Sequence, residues 1–478
     1  MLWACLRLPD FSLQLLLRGA AAQSAPLVIS SGGNRPEVLS CNPLARSLGI
    51  HPGMTVSAAI ALAPELIEHP RDESAEQRAL RSIAAWAGQF TSLVSLSPPD
   101  AVLLEIAGSL RLFGGVRALL LQIGTGLSEL GYTAAIAAAP TPTAARLLAR
   151  RGSDASVTEV GEIAAALSPL PLALLDQPED TTRMLGVMGV HTVGECLALP
   201  REGLARRFGQ PLVDELDRAL GRLPDPCAPY AVPARYSAKL VLPAPVQETE
   251  PLLFAANRLL LELSGYLRTR QAGITRLKLT LQHEERKPTI VTLGFSVPTR
   301  DAQRMLRLLR ERLHDFALPD RAEAIVIESE ETRPLSSRNL SLFPEDRLPE
   351  EERWLIIDHL RARLGSDAVY GIASHPDHRP EQAWRACEPG QAQAAYGQAA
   401  RPLWLLKEPQ RLASADDAPM LDGPLTLLAG PERIESGWWD GNDARRDYFV
   451  ATDPQGRRFW VFRERHNGRD WFLQGIFA

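Results

Sequence analysis

Ala45-Arg46-Ser47-Leu48-Gly49-Ile50-His51-Pro52-Gly53-Met54 is the stretch on which the reading of this chain turns. Taken locally, Gly49 and Gly53 cap and turn short helical pieces, since a residue without a Cβ enters the left-handed region freely at a helix end. Arg46 is then a surface charge. An Ala-rich helix is expected next, from Ser57 to Leu66, ending in Pro64-Glu65-Leu66. Upstream, Leu2–Leu8 is an apolar run that reads as a strand stopped by Pro9, Phe11–Leu17 as an apolar helix and Pro26–Ile29 as a second strand. Downstream come a helix over Ala75–Phe90, strands at Leu93–Leu96 and Val102–Ile106 around a Pro98-Pro99-Asp100 turn, a helix over Leu112–Leu130, a strand at Thr133–Ala138 and a helix at Thr143–Arg150. Helices alternating with short apolar strands predict an α/β or α+β core in the first 165 residues.

Residues 166–225 read as helical with tight Gly turns. Strands at Lys239–Leu242, Thr275–Leu281, Ile290–Phe295 and Ala324–Ser329, with helices at Glu250–Arg270 and Asp301–Phe316, give a β-α-β-β-α-β order. Glu330–Glu352 and Glu388–Arg401 read as polar linkers. The end of the chain is rich in Trp and strand formers, with strands at Leu403–Leu406, Leu425–Leu428, Asp447–Ala451, Phe459–Glu464 and Trp471–Phe477. A length of 478 residues implies about three to five domains. Hydrophobic residues at 45% and charged residues at 23% give the balance of a soluble globular protein, and no apolar run nears the roughly 20 residues of a bilayer span. The start lacks the features of a signal peptide, and the five scattered cysteines lack ligand spacing; both point to reduced thiols in a cytoplasm. The net charge is −5, yet Ser264–Asp315 holds 11 Lys/Arg against 5 Asp/Glu, and such local asymmetry matters more for DNA contact than the total.

The decapeptide resembles the A-R-x-x-G-[VI]-x-x-G-M signature in the fingers of Y-family translesion DNA polymerases. In that family the Arg touches the incoming triphosphate, as does a Tyr three residues earlier; Arg46 matches, but Pro43 holds the Tyr position. Asp100-Ala101-Val102-Leu103-Leu104-Glu105-Ile106-Ala107-Gly108-Ser109 is similar to the family's palm motif S-x-D-E-A-F-L-D-[VI]-T-G-S. Leu185 to Glu195 resembles the helix-hairpin-helix of the thumb, with Gly186 and Gly189 expected to turn backbone N–H groups toward a DNA phosphate. The resemblance covers roughly residues 1–330. It implies an α+β multidomain fold: a palm from 1–20 and 80–165, fingers from 21–79, a thumb from 166–232 and a little finger from 233–330. A linker over 331–352, a helical or polar connector over 353–400 and a small β-rich C-terminal module over 401–478 complete the expected order.

Nucleotidyl transfer needs two divalent cations about 3.5–4 Å apart, held by carboxylates. The family takes these from an N-terminal D-x-D-x-F-[FY] motif and the Asp-Glu pair of the palm. Here the metal Asp falls on Leu6 or Arg7, and Ala101 stands in place of the Glu. Asp100 alone survives, read as a turn residue, with a residual ligand role as the alternative. The expectation is a chain with no catalytic residues, no metal site and no cofactor, in which Arg46 and Asp100 mark a vestigial nucleotide site. The competing expectation is an active, divergent polymerase with ligands rebuilt from Asp10, Asp100 and Glu105.

The segments Gly430–Asp440, Arg446–Phe449 and Trp471–Ala478 are similar to the C-terminal region of the inactive Y-family member of a bacterial mutagenesis cassette. That likeness implies a small RecA-like partner and an error-prone C-family replicative-type polymerase that performs the synthesis. Asn339-Leu340-Ser341-Leu342-Phe343 resembles the β sliding-clamp pentapeptide Q-L-[SD]-L-F, with Leu342 and Phe343 as apolar anchors and Asn339 one methylene shorter than Gln. Arg300, Arg304, Arg307 and Arg310 lie near one helical face and are expected to follow a primer-template phosphate backbone. Trp438, Trp439 and Trp471 are candidates for partner binding, with a core role as the alternative; Arg445, Arg446, Arg457 and Arg458 fit nucleic acid and a solvated face equally. The expected location is the cytoplasm, at the nucleoid and away from membranes.

Overall fold

The computed structural model describes residues 1–19, 25–152, 155–314, 318–329, 331–335, 348–391, 401–465 and 470–477. The chain forms two compact units, Met1–Arg363 and Leu364–Ala478. The pentapeptide 339–343 lies outside the described residues.

Strand β1 (Trp3–Arg7) leads into α1 (Phe11–Leu17), and β2 (Leu27–Ser30), β3 (Val38–Cys41), α2 (Pro43–Ser47), α3 (Val56–Leu62) and β4 (Ile67–Pro70) follow. Then come α4 (Glu73–Ala87), β5 (Val94–Ser97), β6 (Ala101–Glu105), α5 (Leu110–Phe113), α6 (Val116–Glu129), β7 (Ala135–Ala139), α7 (Pro142–Arg150) and β8 (Ala155–Ser156). The central sheet runs β5-β6-β1-β7-β8, with β1 antiparallel to both neighbours. The alternation of β1 sends Ala4, Leu6 and Leu8 into a core with α4 and α6, while Trp3 and Cys5 enter a second core with α7. Burial on both faces explains why β1 reads as a continuous apolar run rather than an alternating one.

β2, β3 and β4 form a small separate sheet. Two expectations change here. The helix expected over Ser57–Leu66 ends at Leu62, and β3 and β4 were not read from the sequence at all. Their four-residue length and the exposure of β4 leave too little apolar pattern to reveal them.

Helices α8 (Ile163–Leu167), α9 (Glu179–Val187), α10 (Val193–Leu197), α11 (Arg201–Phe208) and α12 (Gln210–Ala219) pack on the Trp3–Cys5 face of the central sheet. Next, β9 (Tyr236–Val246), α13 (Thr249–Thr269), β10 (Ala272–His283), β11 (Thr289–Thr299), α14 (Ala302–His314) and β12 (Ala322–Ser329) realise the expected β-α-β-β-α-β order, with sheet order β11-β10-β12-β9. The expected linker is partly structured: β13 (Thr332–Pro334) pairs with β10, and α15 (Leu348–Leu364) starts before its expected end. Helix α13 meets α4 so closely that a Cβ on Gly265 would lie 2.1 Å from Trp86 Cδ1.

In the second unit β14 (Gly371–Ser374) pairs with β15 (Trp384–Cys387). The strands β16 (Trp404–Ala415), β17 (Ala418–Met420), β18 (Thr426–Ser436), β19 (Ala444–Thr452), β20 (Arg458–Glu464) and β21 (Trp471–Ile476) form one sheet, ordered β17-β16-β21-β20-β19-β18. This is the β-rich terminal module expected from the sequence.

Candidate functional site

β1 and β6 lie side by side with Arg7 opposite Ala101, which sets Asp100 at the mouth of the strand pair beside Arg7. Arg7 Nε donates to Asp100 Oδ2 at 3.0 Å, and Leu8 N donates to the Asp100 carbonyl at 2.8 Å. One turn of pleat inward on the same face sits Cys5, its thiol pushed up to about 12 by burial; Arg146, Asp100, Arg150 and Arg7 are the charges that act on it. Arg146 and Arg150 reach this face from α7, and both pair with Asp176. The carboxylate at the mouth is therefore bound by a guanidinium, and the two other guanidiniums near this face are paired with Asp176.

The other carboxylates of the competing metal set do not converge on Asp100. Glu105 lies at the opposite end of β6, five residues or about 17 Å along the strand. Its Oε1 accepts from Leu2 N at 3.2 Å and Ala107 N at 3.3 Å. Asp10 is exposed, in the left-handed region at φ 49°, at the start of α1. The structure does not bring Asp10, Asp100 and Glu105 together.

The signature 45–54 is explained position by position. Ala45 and Ile50 are fully buried, and Gly49 and Gly53 have φ of +85° and +87°, where a Cβ is strained. Asn42 caps α2 by accepting from Ala45 N at 2.9 Å. Arg46 is exposed and serves none of these packing needs.

In the hairpin between α9 and α10, Gly189 adopts φ +82°. The expectation of free amides there is corrected: the N–H groups of residues 188–194 all donate to protein acceptors, those of His191 and Thr192 to Glu195 Oε2 at 2.7 and 3.0 Å. Those backbone bonds hold the Glu195 carboxyl below its usual range, so the turn around Gly186 and Gly189 carries an anion of its own.

The expected stripe of four divides, and only Arg304, Arg307 and Arg310 lie on α14. Arg304 is drawn down to the buried Asp358 of α15, whose Oδ1 also accepts from Ser296 N at 2.9 Å and Ser296 Oγ at 2.7 Å; Arg304 therefore serves packing and leaves the stripe. Arg310 lies 3.6 Å from Glu250 with both side chains exposed. Arg307 on α14 and Arg300, which lies two residues before the helix begins, remain exposed.

The candidate tryptophans also divide. Trp471 is buried, its Nε1 donating to Asp417 O at 3.1 Å, and belongs to the core rather than to a docking face. Trp438 and Trp439 are 78% and 59% exposed, edge to face at 5.5 Å. A brace missed by the sequence reading holds their turn: buried Arg379 binds Asp377 Oδ2 at 2.8 Å and Asp440 Oδ2 at 2.6 Å. Asp377 lies in the His375–His378 stretch, which has no recognisable metal spacing, Arg379 follows directly after it, and their distance from Asp440 along the chain concealed the brace. Arg445 and Arg457 each pair with a carboxylate inside the module, and Arg446 pairs with Glu381 of the preceding connector in the same unit.

The comparisons define the class first. Residues 12–150 match the model of the impB/mucB/samB family. Over 459 residues the chain is 29% identical to Protein ImuB of Caulobacter vibrioides (strain NA1000 / CB15N), covering 90% of this chain and 100% of the relative. The full-length resemblance is thus to ImuB. DNA polymerase IV of Dehalococcoides mccartyi (strain CBDB1) is 28% identical over 185 residues, 37% of this chain and 47% of that one. Among solved structures, DinB from Sulfolobus solfataricus matches at 17% identity and a TM-score of 0.40, over 69% of this chain and 98% of that chain.

Proposed function

We propose that the chain is a non-catalytic adaptor in error-prone translesion synthesis: it binds DNA and the β sliding clamp, and recruits a C-family polymerase and a RecA-like, ImuA-type partner. The Arg7–Asp100 pair carries the reading. At one of the two positions, Leu6 and Arg7, on which the family resemblance puts a metal carboxylate, this chain carries a cation, and that cation binds the one acid retained beside it. A divalent ion about 4 Å from a guanidinium meets repulsion on the order of 8 kcal/mol at an effective dielectric of about 20, reduced where water screens it. The separation of Glu105 from Asp100 weighs against the divergent-polymerase alternative. DNA contact is assigned to exposed Arg300 and Arg307, and partner docking to Trp438 and Trp439. Clamp contact is assigned to Asn339–Phe343. Similarity to ImuB along the chain supports the polymerase-like frame, and no helix among the described residues is long and apolar enough to cross a membrane.

Primer extension by the purified chain, with Mg²⁺ and then Mn²⁺, tests the central claim. No extension is expected with either metal. Extension that vanishes in Asp100→Ala would overturn the adaptor reading.

A further inference from the structure

Between α1, the β2–β4 edge and α4 on one side, and β9 and α13 on the other, lies a cavity of about 820 Å³ that the proposed adaptor role does not use. Its size suits a small organic ligand. Its walls carry six Arg or Lys side chains and three acidic ones. All three acids are engaged: Asp72 caps α4 and lies 3.6 Å from Arg78, Glu76 binds Arg71, and Glu262 binds Arg18. Arg81, Arg235 and Lys239 are exposed and have no carboxylate partner among the described residues. Lys239 stands on β9, Arg235 immediately precedes that strand, and Arg81 stands on α4.

Two further groups lack protein partners. The Nε of Arg18 and the Nε2 of His69 are buried without a hydrogen bond, and both residues line this cavity. Buried polar atoms are nearly always satisfied, so an orphaned pair in a polar cavity points to a ligand that completes them. Burial holds the His69 imidazole below its usual range, which keeps its ring neutral and able to accept or donate. The remaining wall is apolar, with Leu15, Ile29 and Leu240 beside the half-buried ring of Tyr230.

We propose that this cavity binds a phosphate-bearing nucleotide, free or as one unit of a single strand, with its phosphate at Arg81, Arg235 and Lys239 and its base against the apolar wall. Cations without partners supply the charge-assisted bonds a phosphate takes, and an aliphatic and aromatic wall suits the flat face of a base. The site is separate from the vestigial nucleotide site at Arg46 and Asp100, and it needs no metal carboxylates.

The test uses the full chain without divalent metal and three probes: a fluorescent deoxynucleoside triphosphate, a short labelled oligothymidylate and inorganic triphosphate. Saturable binding of the nucleotide or the oligomer is expected. Arg81→Ser, Arg235→Ser or Lys239→Ser should each weaken it about tenfold or more, as loss of a hydrogen bond to a charged group does. Arg206→Ala, on the exposed face of α11 and away from this cavity, should leave nucleotide affinity unchanged. Binding of the nucleotide alone identifies a free ligand, and binding of the oligomer alone identifies a strand; either supports the site. The proposal is overturned if neither probe saturates, if the three substitutions leave affinity unchanged in variants with wild-type near-UV spectra, or if inorganic triphosphate binds as tightly as the nucleotide.

Discussion

Arg7 and Asp100 are both only partly covered, at 29% and 26% side-chain exposure, and a pair so solvated contributes at most about 1 kcal/mol. Its meaning is therefore electrostatic rather than structural. Arg7→Ala should lower the unfolding free energy by less than about 1 kcal/mol in a urea titration, and a loss above about 3 kcal/mol would make the pair a strut instead. Arg379 is the opposite case. Its side-chain hydrogen bonds hold the carboxyls of Asp377 and Asp440 below the ordinary value of 3.8. Because those folded-state values are depressed, their stabilisation is present above that pH and lost as acid titrates them through the lower folded values. Near-UV circular dichroism should thus register release of the Trp438–Trp439 turn only below about pH 4. Asp440→Asn should show the same spectral change at neutral pH; an unchanged spectrum would remove the brace from the account.

At the scale of elements, α14 and α15 show how one residue changes the role of its neighbours. Asp358 is buried at 1% side-chain exposure, and it joins Arg304 to the β11 backbone at Ser296. Asp358→Ala leaves a guanidinium without its counterion in a largely buried place, which costs about 3–5 kcal/mol. Limited proteolysis should then cut within α15 earlier than in the parent chain; an unchanged cleavage rate would mean that α15 is held by its other contacts. Arg300 and Arg307 belong to the other class. Replacing each with Ala should lower DNA affinity uniformly across sequences and reduce the salt slope of binding by about one per residue, read from fluorescence anisotropy over a salt series. Arg304→Ala should leave that slope in place while destabilising the fold. Helical spacing alone put these three residues on one face; the difference between them depends on a carboxylate 54 residues away.

Across the whole molecule, what the sequence displays is whatever has a local physical cause. β1, α1 and the β-α-β-β-α-β run are legible because apolar periodicity and turn residues sit next to each other in the chain. β3 and β4 are not, being short and poorly patterned. The Arg18–Glu262 pair, fully buried between α1 and α13, and the Arg379 brace escape for another reason: their members are distant in sequence, and no spacing rule links them. The Arg7–Asp100 contact was half legible, since the substitution could be read directly but the mutual binding required the β1–β6 register. That division also separates the proposed docking functions. The pentapeptide 339–343 is about a hundred residues from the Trp438–Trp439 turn along the chain, and that turn belongs to the second unit, so the clamp and polymerase functions should be separable. Leu342→Ala with Phe343→Ala removes two apolar anchors and should abolish co-elution with the clamp, yet leave polymerase capture intact. Trp438→Ala with Trp439→Ala removes two exposed aromatic hot-spot candidates, and should do the reverse. Both doubles should keep the parent's thermal midpoint, because the tryptophans are exposed and a peptide in a polar stretch contributes little to a core. If either double lost both interactions while remaining folded, the two partners would share one surface and the division of labour proposed here would fail.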